Sequence, residues 1–255
     1  MSNVENSIAE QHFSALEESY SEVGNLTWSN DDFLESNINS SRSLYTSESL
    51  SDRCPRPKKL EVYALVSGLT FHSDFSEKLV AVQNKISTVL QESLHYWVAP
   101  DNLGVEYCVF KWPTDSWDNA HLDIIQNTLS LIRQPEFQFS IRGIQVNSDG
   151  CVIAKGFDES GVLFKIREQL QLDLPFMPKK QSGWAHVPLG RILEPLGTEK
   201  FTLLKKTINS MLHQHIAATD IKIMRLIHER RWYMEEKTIL AEYFLDSLPR
   251  EVGDV

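Results

Sequence analysis

The fourteen residues SGWAHVPLGRILEP, positions 182–195, decide how the rest of the chain is read. Their middle, residues 183–193, carries Val187, Leu189 and Ile192 among small and polar neighbours, which predicts a strand. Side chains alternate faces along a strand, so Trp184, His186 and Pro188 share one side. Arg191 has the opposite parity and reaches that side only if the strand ends near Gly190. An imidazole on the open side of a sheet can move a proton near neutral pH, although a histidine in an amphipathic strand also reads as a hydrogen-bonded structural residue.

Upstream lies the clearest hairpin in the chain, FQFSIRGIQVNSDGCVIAKGF at 137–157, two β-branched runs around NSDG, whose residues tolerate positive φ. Further up, residues 60–68, 95–100 and 104–112 (LEVYALVSG, HYWVAP, GVEYCVFKW) read as strands. Residues 73–94 read as a helix opened by Ser73 or Asp74, with Phe75, Leu79, Val82, Ile86 and Leu90 in one apolar stripe. Residues 118–134, opened by Asp118, repeat the pattern with Leu122, Ile125, Leu129 and Ile132. After the hairpin the order begins again: a helix at 160–170, the strand around His186, a helix at 198–216, and two strands over 221–245 around a turn near Tyr233 to Glu236. Two similar halves, each with a central strand followed by a helix, predict a bilobal α+β fold, with two antiparallel sheets facing a groove and helices outside.

Within that order, SGWAHVPLGRILEP resembles the second signature motif of the 2H phosphoesterase superfamily, which includes the bacterial RNA 2′,3′-cyclic phosphodiesterases once called 2′-5′ RNA ligases. Each lobe of that family contributes a His-x-Thr or His-x-Ser on a strand, followed by a hydrophobic residue. Here His186, Val187, Pro188 and Leu189 take that pattern, with proline in place of the hydroxyl. The resemblance spans about 185 residues, and the matching strand of the first lobe is GVEYCVFKW, about 80 residues upstream. There Tyr107, Cys108, Val109 and Phe110 stand where His-x-Thr-hydrophobic belongs, so both the first imidazole and the first hydroxyl are missing.

The resemblance implies metal-independent chemistry without a cofactor, on RNA or nucleotides bearing a terminal or cyclic phosphate. Two imidazoles flank the phosphodiester and two hydroxyls hold its oxygens. With His186 alone as acid or base, the expected loss is about 10²- to 10⁴-fold in rate. An unperturbed phenol, with a pKa of about 10, makes Tyr107 a poor replacement. By alternation Tyr107, Val109 and Lys111 would line the groove opposite Trp184, His186 and Pro188, giving a phosphate- or base-binding wall of Tyr107, Lys111, Trp184 and Pro188. The implied functions are a weakened phosphoesterase or a non-catalytic nucleotide- or RNA-binding scaffold.

Composition sets the boundaries. Residues 1–53 hold 13 serines, ten acids and two bases, a balance of −8 out of a total of −10. Such a segment cannot offset the entropy of ordering it, so residues 1–58 are expected to be a disordered tail and linker, 59–247 the domain, and 248–255 a C-terminal tail. Ile8, Phe13, Leu16 and Tyr20 fall loosely at helical spacing, which leaves a docking helix for a protein partner open. The start of the chain lacks a signal-peptide pattern, no run approaches the roughly 18 apolar residues of a membrane span, and Cys54, Cys108 and Cys151 have no ligand spacing, so a cytoplasmic, non-membrane protein is expected. GxGxxG, GxxxxGK[ST], GxSxG and HExxH are absent from the sequence. His213 and His215, two apart on an expected helix, do not share a face as metal ligands would. The run IHERRWYMEEK sets His228, Arg230 and Trp232 on one side of a strand and Glu229, Arg231 and Tyr233 on the other, and either side could stack on a nucleotide.

Overall fold

The computed structural model describes residues 3–29, 33 and 35–246. The C-terminal tail expected at 248–255 lies outside the described residues, as does the Ile8 side chain.

Every strand pair is antiparallel. One sheet has four strands in the order β3(Gly104–Lys111), β1(Lys59–Gly68), β8(Ile223–Arg231), β9(Glu236–Phe244). The other has five: β2(His95–Trp97), β6(Val187–Ile192), β5(Cys151–Phe157), β4(Phe137–Val146), β7(His215–Ile221). The two expected signature strands therefore lie in different sheets, where β3 and β6 are near neighbours. β3 was expected to be central but forms the edge of its sheet.

The periodic stripes become the packed faces. α4(Ser73–Leu90) buries Phe75, Leu79, Val82, Ile86 and Leu90, and α5(Ala120–Leu131), opened by the Asp118 carboxylate on the Ala120 amide, buries Ile125 and Leu129. α6(Val162–Asp173) packs beside β3, and α7(Thr198–Asn209) beside α4. The helix expected to run to residue 216 stops at Asn209, so His215 opens β7 instead. The hairpin turn closes with Gly150 at φ 88°, where a Cβ would come within 2.3 Å of the Ile192 carbonyl.

Where residues 1–58 are described, at 3–29, 33 and 35–58, they are largely helical instead of the disordered tail that composition suggests. α1(Asn3–Thr27) is followed by α2(Glu35–Arg42) and α3(Ser47–Ser51). Leu16, Tyr20, Ile38 and Tyr45 are buried. The Tyr20 hydroxyl donates to the Gly156 carbonyl at 3.4 Å, and the Thr27 hydroxyl donates to the Val146 carbonyl at 2.8 Å. The physical reason is placement: the few apolar side chains of this acidic segment fall on one helix face, and Phe13, Leu16 and Tyr20, offered by the sequence to a protein partner, join this chain's own core.

Candidate functional site

The site lies where β3 and the approach to β6 meet. β6 begins only at Val187, so Trp184 and His186 stand on the irregular segment before it, and strand alternation does not govern them. Gly156 on β5 lets that segment come close: a Cβ there would sit 1.8 Å from the Ala185 carbonyl oxygen and 2.3 Å from the Phe139 ring. The imidazole of His186 is half-buried and reaches the groove, and its buried Nδ1 has no hydrogen-bond partner among the described residues. Burial, and then the charges of Arg167 and Arg191, pull its pKa down to about 4, so the ring is neutral at pH 7. Pro188 lines the inner recess next to it.

Two β-bulges decide the remaining occupants. Between β1 and β3, Val66 faces Glu106 but Leu65 faces Cys108, which leaves Tyr107 as the extra residue. Tyr107 consequently does not line the groove. It is buried in the main core, its hydroxyl 3.0 Å from the Ser67 hydroxyl, which in turn donates to the Ile223 carbonyl. Glu106 takes the groove position instead. Between β5 and β6 the register slips at Leu189, because Ile153 faces Pro188 while Val152 faces Gly190. The Gln83 amide donates to the Leu189 carbonyl at 2.9 Å and supports this bulge. The slip reverses parity, and Arg191 reaches the groove from within the strand. Its guanidinium donates to the Tyr233 hydroxyl, to Ser41 at 2.5 Å and to Asp149 at 2.8 Å.

The other expected wall residues lie elsewhere. Lys111 is buried at the far end of β3, its ammonium 3.1 Å from the Glu61 carboxylate. The Trp184 indole donates to Ser19 of α1 at 2.8 Å and packs on Tyr20, so it faces the helix and not the cleft. Val109 joins Val62, Ala64 and Ile227 in a small apolar cluster. Its backbone amide and carbonyl are both bound by the Gln181 side chain, which covers the open edge of the sheet.

The cleft has two parts. An outer trough of about 1070 Å³ is walled by Trp112, Trp117, His121, Phe176 and Trp232, with Lys179, Lys180 and Arg191 also on its surface. His121 and Phe176 stack with ring centres 4.1 Å apart, and the Trp112 indole donates to the Lys180 carbonyl at 2.9 Å. An inner recess of about 150 Å³ holds His186, Pro188, Glu106 and Glu229. Burial raises the Glu106 carboxyl to about 7 against the opposing pull of the Arg167 charge. Burial also raises Glu229 to about 7, opposed by the Met234 amide hydrogen bond and reinforced by the Glu106 charge. The recess thus pairs a neutral imidazole, able to accept a proton, with a carboxyl that is partly protonated at neutral pH. Among the described residues, no group of three or more His, Cys, Asp or Glu is placed to hold a metal ion.

Of the expected set, His186 and Pro188 meet in the groove, while Tyr107, Lys111 and Trp184 do not. Sequence reasoning missed Glu106. Its signal was an acid between Val105 and Tyr107 in a strand otherwise uncharged up to Lys111, and the bulge hid its direction. The strand of IHERRWYMEEK ends at Arg231, so alternation does not extend to the turn that follows, and Glu229 from the strand enters the groove together with both Trp232 and Tyr233, which alternation sets on opposite sides.

No protein-family profile matches the sequence, and no curated protein matches it. Solved structures do. TT0787 of Thermus thermophilus superimposes with a TM-score of 0.52 at 14% identity, over 73% of this chain and 97% of that one. LigT of E. coli complexed with NADP+ gives 0.50 at 11% identity, over 74% and 99%. ATU0111 of Agrobacterium tumefaciens, a conserved protein of unknown function, gives 0.50 at 10% identity, over 72% and 86%. At these identities the likeness is one of fold, and this chain has the LigT-like fold of the 2H phosphoesterases.

Proposed function

We propose that this protein binds RNA ends or nucleotides through a terminal or cyclic phosphate seated at His186, with the base against the aromatic wall of the trough, and that it hydrolyses the phosphodiester weakly. The observation that carries the reading is the unpartnered Nδ1 of His186 at the junction of an inner recess and an aromatic trough. Arg191 adds a cation on the same surface, and indole and phenyl faces stack on any base. The NADP+ bound to LigT supports a nucleotide as a ligand compatible with this fold. A cytoplasmic setting accords with three free thiols, Cys54, Cys108 and Cys151.

The second reading, a binding protein without turnover, is favoured by the first strand, which offers no imidazole to the groove. Assay of the full chain with 2′,3′-cyclic AMP and a short RNA ending in a cyclic phosphate separates the two. Slow turnover that falls by about 10²-fold or more in His186→Ala is expected of the enzyme. Binding without turnover selects the second reading, and the absence of both removes the function altogether.

A further inference from the structure

We propose that Glu106 stands in for the imidazole missing from the first strand: its carboxyl, in the protonated form, donates to an oxygen of the phosphate held by His186, so that the site takes up its ligand together with a proton. The inference rests on the phosphate-binding reading above and adds a partner for His186. Its geometric basis is that Glu106 and His186 come from different sheets and line both the inner recess and the outer trough. Among the described residues no hydrogen bond reaches the Glu106 carboxyl, just as none reaches Nδ1 of His186. Two polar groups facing one cavity, neither satisfied from within the protein, are suited to satisfy a ligand placed between them.

Burial favours the protonated carboxyl. Glu229 on β8 repels the charged form, and His186 is neutral. The Arg167 charge on α6 opposes this; its Nε and Nη2 donate to the carbonyls of Glu106, Tyr107 and Trp184, and its buried Nη1 has no partner among the described residues. Arg191 on β6 is engaged by Asp149, Ser41 and Tyr233, and the charge of Lys237 on β9 acts on Glu229. An arriving phosphodiester anion adds negative charge and raises the affinity of Glu106 for its proton further.

The same pair defines a balanced hydrolysis. As water attacks phosphorus and the new P–O bond forms, the neutral His186 ring accepts a water proton. As the bond from phosphorus to the leaving ribose oxygen breaks, the Glu106 carboxyl gives its proton to that oxygen. The products are a phosphomonoester and a free hydroxyl, with imidazolium and carboxylate left behind, and these exchange one proton through solvent to restore the starting state.

The test is binding of 2′,3′-cyclic AMP by the full chain, followed by tryptophan fluorescence at pH 6 and pH 8. The diester itself does not titrate in that range. With a carboxyl near 7 that must be protonated, binding is expected to be about tenfold tighter at pH 6. In Glu106→Gln the amide donates at every pH, so the expected affinity is flat at the tight level while phosphomonoester release is lost. His121→Gln tests the other titratable ring on the trough wall and should keep the slope, as should Glu106→Asp, which covers the case that Glu106→Gln does not fold. A slope that survives in Glu106→Gln, or that vanishes in His121→Gln or in Glu229→Gln alone, overturns the role of Glu106 and leaves the phosphate reading intact. No binding by the wild-type chain at either pH overturns both.

Discussion

At the residue scale, the recess separates the proton affinities of its groups by one cause, burial, acting with opposite sign on acids and bases. For the carboxyls of Glu106 and Glu229, the folded state holds protons more tightly than the unfolded chain, from the ordinary 4.5 up to about 7. Their contribution to stability is full below about 4.5 and is lost as pH rises through 7. For His186, lowered from 6.5 to about 4, the unfolded chain binds the proton more tightly, so its contribution is present above 6.5 and lost as pH falls through 4. The two trends oppose each other below pH 6.5 and only the carboxyls act above it. Thermal melts should therefore show stability falling between pH 6.5 and 8, and the double variant Glu106→Gln, Glu229→Gln should flatten that fall. An unchanged slope in the double variant would place the titration elsewhere.

At the element scale, the two bulges and α1 do what no regular strand or solvated tail could. The bulge at Tyr107 turns Glu106 into the groove, and the slip at Leu189 turns Arg191 in after it. α1 packs on β4 and β5 with the Tyr20 ring, which meets Phe157 in a T-shaped contact and lies at a tilt with its centre 4.9 Å from that of Trp184, beside the segment that carries His186. Tyr20→Ala is expected to cost about 3–5 kcal/mol, the usual range for emptying a large aromatic site in a core. Urea unfolding measures it. A loss below about 1 kcal/mol would show that the helix spends its time off the sheet and that the domain begins near Lys59, as composition alone suggests.

At the scale of the whole molecule, the groove exists because two sheets are held at a fixed separation, and Arg167 is a principal tie. From α6 its guanidinium reaches the carbonyls of Glu106 at 2.6 Å and Tyr107 at 2.7 Å on the edge strand of one sheet, and Trp184 at 2.7 Å ahead of β6 in the other. Arg167→Met keeps the bulk but leaves three carbonyls without that donor, so a loss of roughly 2–4 kcal/mol is expected. Because the same change removes the cation that restrains the Glu106 carboxyl, the pH dependence of nucleotide binding should move upward in this variant. Retained stability together with an unmoved pH profile would show that the sheets are positioned by their apolar cores alone.

The sequence by itself determined most elements beyond Lys59 and the fold. Hydrophobic period and turn chemistry are local, so the stripe of α4, the NSDG hairpin and the strand after His186 could be read from neighbours a few residues apart, and their order carried the resemblance that the solved structures bear out. It also placed His186 and Pro188 on the groove. Only the tertiary structure decided the rest. Parity along a strand is lost at every bulge, and bulges arise from how two strands meet, so Tyr107 and Glu106 exchanged places and Arg191 came in. An acidic, serine-rich stretch orders only if a complementary apolar surface awaits its few large side chains, and that surface is built by strands more than a hundred residues further along the chain.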